Sequence, residues 1–534
     1  MRLVYSALVV LSASLLPVTS AQHGPTQQQQ PLFDHQTHQQ NAPQAIKQVA
    51  IIGAGAAGSS TAYHLRRFAT EANIPVNITI YDSNPYIGGR STTIHPFDSP
   101  LQPPLELGGS IFVQVNHILV NASRDFNLST DSMIAPLSSD DRTPDLGVFD
   151  GTRLVLVQQS DSYWDLAKLV WRYGLAPWRT LRLMRQTVGR FLTMYTAPVF
   201  PFADLTAAVA EIGLADTVAV TGDVFLRLNG VAEGFAHDVV QASTRVNYAQ
   251  DLGVIHGLET MVCMATEGAM SVDGGNWRIF EGMVRASRAV EVLGTKVRGV
   301  WKEKGGRLEL QAERSGEMLA VEAYDEVVVA APMQYTGIKW DGGAPHQNEQ
   351  VLEHVPDEIP YVELHVTLFT SPHRLAPTAF GLRPDEVVPR AVLTTTPPEG
   401  ASEAEFLSIS LLRDVINPKT GGPEFAYKIF TRKEVDVGFL RRVLGAEGEG
   451  KDMDVKDVSW IHKKVWNSYP FELPRVTFEP TKLAKHVWYT AGIESFISTM
   501  ETSSLMGMNV ARLMVDEWGI EELIQHRKRP AIME

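Results

Sequence analysis

Residues 48–58 read QVAIIGAGAAG, and this stretch limits the fold more than any other in the chain. Val49, Ala50, Ile51 and Ile52 form a short apolar run of the kind a buried strand needs. Gly53, Gly55 and Gly58 follow in GxGxxG spacing, and Ser59 to Arg67 reads as a helix. Gly53 permits a tight turn, Gly55 lets the backbone approach a pyrophosphate, and Gly58 lets helix and strand pack closely. Amides at the helix N-terminus then meet the phosphates, where the helix dipole favours negative charge. The pattern alone also occurs as an ordinary glycine turn in a parallel sheet. Here a second apolar strand, Val76 to Tyr81, ends in Asp82. That is close to the ~20-residue offset expected of a carboxylate that binds a ribose hydroxyl. The stretch is read as a dinucleotide site in an α/β fold.

Further glycine-rich turns follow. NPYIGGRSTT carries Gly88, Gly89 and Arg90, and ELGGS spans Glu106 to Ser110, with Gly109 beside Ser110. Both suit close backbone approach to a bound dinucleotide, with Arg90 able to meet phosphate oxygens or the far end of the cofactor. Near the C-terminus, HVWYTAGIESFISTMETSS reads as a strand from Val487 to Ala491, a turn at Gly492 and a helix from about Thr502. Glu494 in that turn is placed to accept from a cofactor hydroxyl.

The chain of 534 residues is long enough for a sizeable core and about two to four domains. Its net charge of -14 gives no basic surplus to displace counterions, which argues against a general nucleic-acid binder. Residues 1–20 read as a signal peptide: Arg2, an apolar run from Ala7 to Leu16, and small residues Val18 and Ser20 before Ala21. Residues 21–45 are a Gln/His-rich linker without apolar period, read as disordered, and their histidines are not taken as metal ligands. Asn77, Asn121 and Asn127 head glycosylation sequons, Asn77 on a predicted strand. Cys263 is the only cysteine, which rules out an intramolecular disulfide and a catalytic dithiol. It lies in the apolar LETMVCMATEG and is read as core.

In the middle of the chain, 163–195 interleaves tryptophans with Lys168, Arg172, Arg179, Arg182, Arg185 and Arg190. The apolar period predicts two helices broken near Gly174 and Pro177, either a solvated basic cap or a peripheral membrane contact. A helix is predicted from Trp277 to about Val292, and TKVRGVW, DEVVVAAP, YVELHVTLF, FLSISLLR and EFAYKIF as strands. Tyr248 and Asn276 stand out as groups near a pocket or a helix start, whereas His117 and His256 read as structural.

GAGAAG, YDSNPYIGGRSTT, ELGGS and AGIESF resemble the glutathione-reductase-like flavoproteins of the amine-oxidase and phytoene-desaturase type. Within that group, SYWDLAKLVWRYGLAPWRTLRLMRQ, RVNYAQ, EGAMSVDGGN and GIESFISTMETSS are similar to the prenylcysteine oxidase (prenylcysteine lyase) family. The resemblance implies an FAD-binding Rossmann domain interleaved with an α+β substrate domain. The cofactor domain then takes 46–150, 255–335 and 480–525, with a helical part of the substrate domain at 151–254 and a sheet-rich part at 336–479. It implies noncovalent FAD held by Gly53, Gly55, Gly58, Asp82, Gly89, Arg90, Gly109, Ser110, Val297, Gly492 and Glu494, with Asn276 and Tyr248 as the catalytic candidates.

The implied reaction oxidises an S-prenylcysteine with molecular oxygen and water to cysteine, a prenyl aldehyde and hydrogen peroxide. Hydride leaves C1 easily, because the cation left behind is shared with sulfur and an allylic double bond. No strong base is needed. The family's usual compartment implies a lysosome or vacuole, with secretion as the alternative. Rival readings of the same motifs are a flavin amine oxidase, a carotenoid-type desaturase and a non-catalytic prenyl-binding carrier. A pyridine-nucleotide disulfide reductase is disfavoured by the missing dithiol and second GxGxxG.

Overall fold

The computed structural model describes residues 45–132, 143–158, 163–303, 305–340, 350–448 and 454–528. The expected signal peptide and all but the last residue of the linker lie outside these. The elements that build the site are, in chain order, β1 (Lys47–Ile52), α1 (Ala56–Glu71), β2 (Val76–Tyr81), β3 (Leu146–Phe149), α2 (Ala176–Phe191), α3 (Gln241–Tyr248), α4 (Gly257–Met264), α5 (Trp277–Ser287), β4 (Glu326–Val329), β5 (Tyr361–Ser371), β6 (Pro423–Thr431), β7 (Trp460–Pro470) and α6 (Met500–Lys528).

A six-stranded sheet is assembled from remote parts of the chain, in the order Lys482–Ala484, Val487–Tyr489, β4, β1, β2, Val290–Val292. β1 lies parallel to both β2 and β4. Its residues Val49, Ala50 and Ile51 are fully buried because both faces are covered, which explains an apolar run instead of alternation. α1 and α6 pack closely on one face. Gly507 of α6 makes this approach feasible, since a Cβ there would sit 2.3 Å from the Ala57 carbonyl oxygen. The predicted helix from Trp277 stops at Ser287. Arg288 turns left-handed at φ 56, and Val290–Val292 joins the sheet edge instead.

A seven-stranded sheet forms the second layer, in the order β7, β5, β6, Ser408–Ile416, Ala391–Thr394, β3, Leu154–Gln158. β3 pairs in parallel with Ala391–Thr394, so residues 146–149 belong to this sheet although the sequence reading grouped them with the cofactor segment. A small antiparallel meander (Thr295–Lys302, Leu308–Arg314, Glu317–Met318, Glu322–Tyr324) flanks the first sheet. Between β3 and α5 the chain is mainly helical. Tyr163–Tyr173 and α2 are separated at Gly174, which adopts φ 57, while Pro177 sits within the first turn of α2, where no amide is needed.

Candidate functional site

The turn after β1 shows which glycines the protein's own packing demands. At Gly53 (φ +112) a Cβ would lie 2.7 Å from the Ala330 carbonyl oxygen, and at Gly58 one would lie 1.8 Å from the Gly53 carbonyl oxygen. Gly55 differs. A Cβ there would approach only the Gly89 Cα, at 3.9 Å. Gly89, at φ +58, faces back, its own Cβ position 3.2 Å from the Gly55 Cα. Gly55 also starts α1 without a side-chain cap, so the first amides of a 16-residue helix have no side-chain acceptor at the cap. Among the described residues nothing explains a bare backbone at Gly55. A pyrophosphate resting on these amides does, so the cradle fits a dinucleotide.

Asp82 braces this turn. One carboxylate oxygen accepts from the Ala54 amide at 2.7 Å, and the other from the amide and side chain of Asn84 at 2.7 and 3.0 Å. Burial raises its pKa, against the pull of those hydrogen bonds. Val297 is buried in the meander beside it, where the Thr295 amide donates to the Asp82 carbonyl at 2.8 Å.

Arg90 and Glu494, both expected at the cofactor, meet each other. The Arg90 guanidinium donates to Glu494 Oε1 at 2.6 Å and to the Ser468 carbonyl at 2.5 Å, while Tyr361 donates to Glu494 Oε2 at 3.1 Å. This group ties the glycine loop, the C-terminal turn and two neighbouring strands of the second sheet, β7 and β5, into one assembly. Gly492 is held by packing, since a Cβ would lie 2.9 Å from the Glu479 Cβ. The ELGGS loop closes on the same region: the Gly109 amide donates to the Arg90 carbonyl at 3.1 Å, and a Gly109 Cβ would lie 2.8 Å from Met500 Sδ at the start of α6.

Asn276 is fully buried and turned to the backbone. Its side-chain oxygen accepts from the Val272 amide at 2.9 Å, its side-chain nitrogen donates to the Gly109 carbonyl at 3.0 Å, and its amide donates to Glu106 Oε1 at 2.7 Å. Tyr248 reaches the segment before α6, donating to the Ser498 carbonyl at 3.1 Å, with its ring 5.0 Å from that of Tyr469. His256 caps α4, accepting the Glu259 amide at 3.1 Å; burial pushes it down to about 3. His117 lies against the Tyr195 ring at 5.2 Å. Cys263 is a buried core residue, its thiol pushed up by burial.

Several charged groups at the site are not evident in the sequence. Lys428 on β6 is the one buried lysine among the described residues. It donates to the Glu106 carbonyl at 2.8 Å and to Ser110 Oγ at 2.9 Å. Desolvation lowers its pKa and raises that of Glu106. Glu259 and Glu472 are fully buried near Tyr248, and burial raises both carboxyls. Glu501, in the first turn of α6, accepts the Ile118 and Leu119 amides at 2.9 and 3.0 Å, and burial holds it up at about 7. An alternating strand pattern signals a buried face, but it does not show which charge on that face finds a partner.

Comparison with known proteins agrees with this geometry. The profile of an NAD(P)-binding Rossmann-like domain matches residues 51–122. Farnesylcysteine lyase of Arabidopsis thaliana is 26% identical over 494 residues, covering 89% of each chain. Prenylcysteine oxidase 1 of Rattus norvegicus is 26% identical over 510 residues, covering 90% of this chain and 91% of the relative. Among solved structures, cyclohexylamine oxidase from Brevibacterium oxydans superposes with a TM-score of 0.54 at 14% identity, over 89% of this chain and 99% of that one. A fatty acid isomerase from P. acnes gives 0.54 at 11%, over 88% and 98%. These two similarities concern the fold. The prenylcysteine lyase profile matches residues 156–525, reaching from the helical region through both sheets to α6, and the chain belongs to that family.

Proposed function

We propose that the protein is an FAD-dependent oxidase of S-prenyl-L-cysteine, releasing cysteine, a prenyl aldehyde and hydrogen peroxide with oxygen and water as co-substrates. The bare backbone where Gly55 faces Gly89 carries the cofactor assignment, and membership of the prenylcysteine lyase family carries the thioether. Bound FAD supplies a two-electron acceptor for the hydride on C1.

The chain's own part is to bind, orient and exclude water. The α1 N-terminus and the two facing glycines take the pyrophosphate, and Asp82 holds that turn and offers its remaining lone pairs to a ribose hydroxyl. Arg90, Glu494 and Tyr361 lock the segments around the ribityl end, which makes Arg90 a positioning group here. Asn276 and Lys428 fix the ELGGS loop from opposite sides. Tyr248 and Tyr469 form an aromatic wall beside the start of α6, keeping water from C1 until hydride has left.

The leader-like residues 1–20 and the exposed sequon residues Asn77, Asn121 and Asn127 support passage through the secretory pathway to a lysosome or vacuole. Among the described residues no helix is long and apolar enough to cross a membrane. Peripheral contact through 163–195 is supported by exposed Trp171, Leu175 and Trp178, with Arg182 5.8 Å from the Trp178 ring centre.

The test is peroxide release from FAD-loaded protein given farnesylcysteine, benzylamine or a polyamine. Peroxide and farnesal from the thioether alone are expected. Peroxide from the amines alone would overturn the reading.

A further inference from the structure

β7 is an edge strand of the second sheet, and its side chains alternate for most of its length. Ile461, Lys463, Val465 and Asn467 are exposed, Ile461 by 42% and Val465 by 48%, whereas the residues between them are half-buried. A period of two would place Tyr469 with the exposed set. The structure turns it inward instead. Against β5, Asn467 pairs with Glu363 but Pro470 pairs with Tyr361, so three steps on β7 face two on β5 and one residue is extra. A bulge of this kind re-aims a side chain. Tyr469 accordingly packs on two interior clusters, one around Leu364 and Val366 and one formed by Tyr248, Ile255 and Cys263.

The bulge is fastened on both sides to the surroundings of the cofactor cradle. The Ser468 carbonyl accepts from Arg90, the residue after Gly89, at 2.5 Å. The Pro470 carbonyl accepts from Gln250 Nε2 at 3.0 Å, and Tyr361, opposite Pro470, donates to Glu494 of the C-terminal turn at 3.1 Å. Tyr469 is carried between these two anchors, its ring 5.0 Å from that of Tyr248 and inclined by 54°. The two phenols differ. That of Tyr248 is spent on the Ser498 carbonyl. That of Tyr469 meets no hydrogen-bonding partner among the described residues, and it is not one of the polar atoms sealed from solvent. Burial pushes it up, so it stays protonated. A neutral phenol can give one proton and accept another.

Cleavage of the thioether needs such a group. Once hydride has left C1, water adds its oxygen there and releases a proton, giving a hemithioacetal. The C1–S bond must then break with its electron pair going to sulfur. The hydroxyl must lose a proton as the aldehyde C=O forms, and sulfur must gain one. We propose that Tyr469 is the catalytic residue of this step, donating its phenolic proton to sulfur while accepting the proton of the hydroxyl. The phenol ends as it began, so atoms and charge balance without a further reactant. The assignment rests on the thioether reading above and gives the bulge in β7 its purpose.

Tyr469→Phe keeps the ring and removes the hydroxyl. FAD content and melting temperature should match the parent, and anaerobic flavin bleaching by farnesylcysteine should change by less than about threefold, because hydride transfer does not use the phenol. Free thiol, measured in rapidly quenched samples, should appear in step with bleaching in the parent and about 30-fold more slowly in the variant. The farnesyl thioether of 4-nitrothiophenol, whose thiolate leaves without a proton, should restore prompt thiol release to the variant. Thiol released from farnesylcysteine in step with bleaching, or a lag that the acidic thiol does not shorten, would overturn the role. A parallel measurement needs no variant. In the unaltered protein the two thioethers should release thiol at rates within about fivefold of each other, and an advantage of about a hundredfold for the nitrothiophenol would overturn the role. Unaltered, FAD-loaded protein whose flavin is not bleached by farnesylcysteine would overturn the thioether reading itself, an outcome distinct from a missing lag.

Discussion

The cofactor cradle and the substrate layer solve opposite problems with different residues. In the cradle, function comes from side chains that are missing: Gly53 and Gly58 give way to the protein's own carbonyls, and Gly55 gives way to a ligand. In the second layer the side chains around the cradle are present and buried, among them Lys428 and Tyr248. A glycine cradle binds any dinucleotide, since backbone amides carry no selectivity for the substrate. The buried layer has to select a substrate, so its residues are particular to this chain's chemistry. The family match spans most of both layers, and the structural likeness at low identity concerns the fold.

That contrast can be broken within the cradle itself. Gly55→Val should leave the apoprotein folded and abolish flavin binding, read from the absorption of the purified protein; full occupancy would refute the cradle. Gly58→Ala should act in the reverse order. The added Cβ meets a backbone oxygen at 1.8 Å, so stability should drop by about 3 kcal/mol or more in denaturant titration even without cofactor. Asp82→Ala lies between the two. It removes acceptors from the Ala54 and Asn84 amides and from the ribose, and FAD affinity should weaken by ~1–3 kcal/mol in a flavin-release titration.

The smallest expected effect concerns pH. Burial raises Glu501 to about 7 and also raises Glu259 and Glu472, so the folded state holds protons that an unfolded carboxyl, near 4.5, has released. Their contribution is complete below pH 4.5 and is lost as pH rises through about 7 and beyond. Burial lowers His64 to about 4 and His256 to about 3, from 6.5. Their contribution is complete above 6.5 and is lost as pH falls toward those values. Above pH 6.5 the carboxyls act unopposed by the two histidines, so the melting temperature should fall from pH 6.5 to 8.5. Glu501→Gln should flatten part of that slope, and an unchanged slope would place the buried proton elsewhere.

How much was legible follows the same division. β1, the turn, α1 and β2 were readable to within a few residues, because glycine spacing and apolar runs are local signals. The helix from Trp277 was read too long, because Arg288 adopts a left-handed backbone that no residue type announces. Asn276 was readable as a helix start, but its turn toward Gly109 depends on a loop far away in the chain. Residues 146–149 were grouped with the wrong neighbour, since their parallel partner is Ala391–Thr394.

From the sequence alone come the dinucleotide cradle, the need for a second layer, the absence of a disulfide and the family resemblance. These rest on backbone geometry and residue counts within short windows. Tertiary structure alone decided that Arg90 pairs with Glu494 and that Lys428 meets Ser110. Desolvation and packing depend on what closes over a residue, and in this chain the closing partner is often hundreds of positions away.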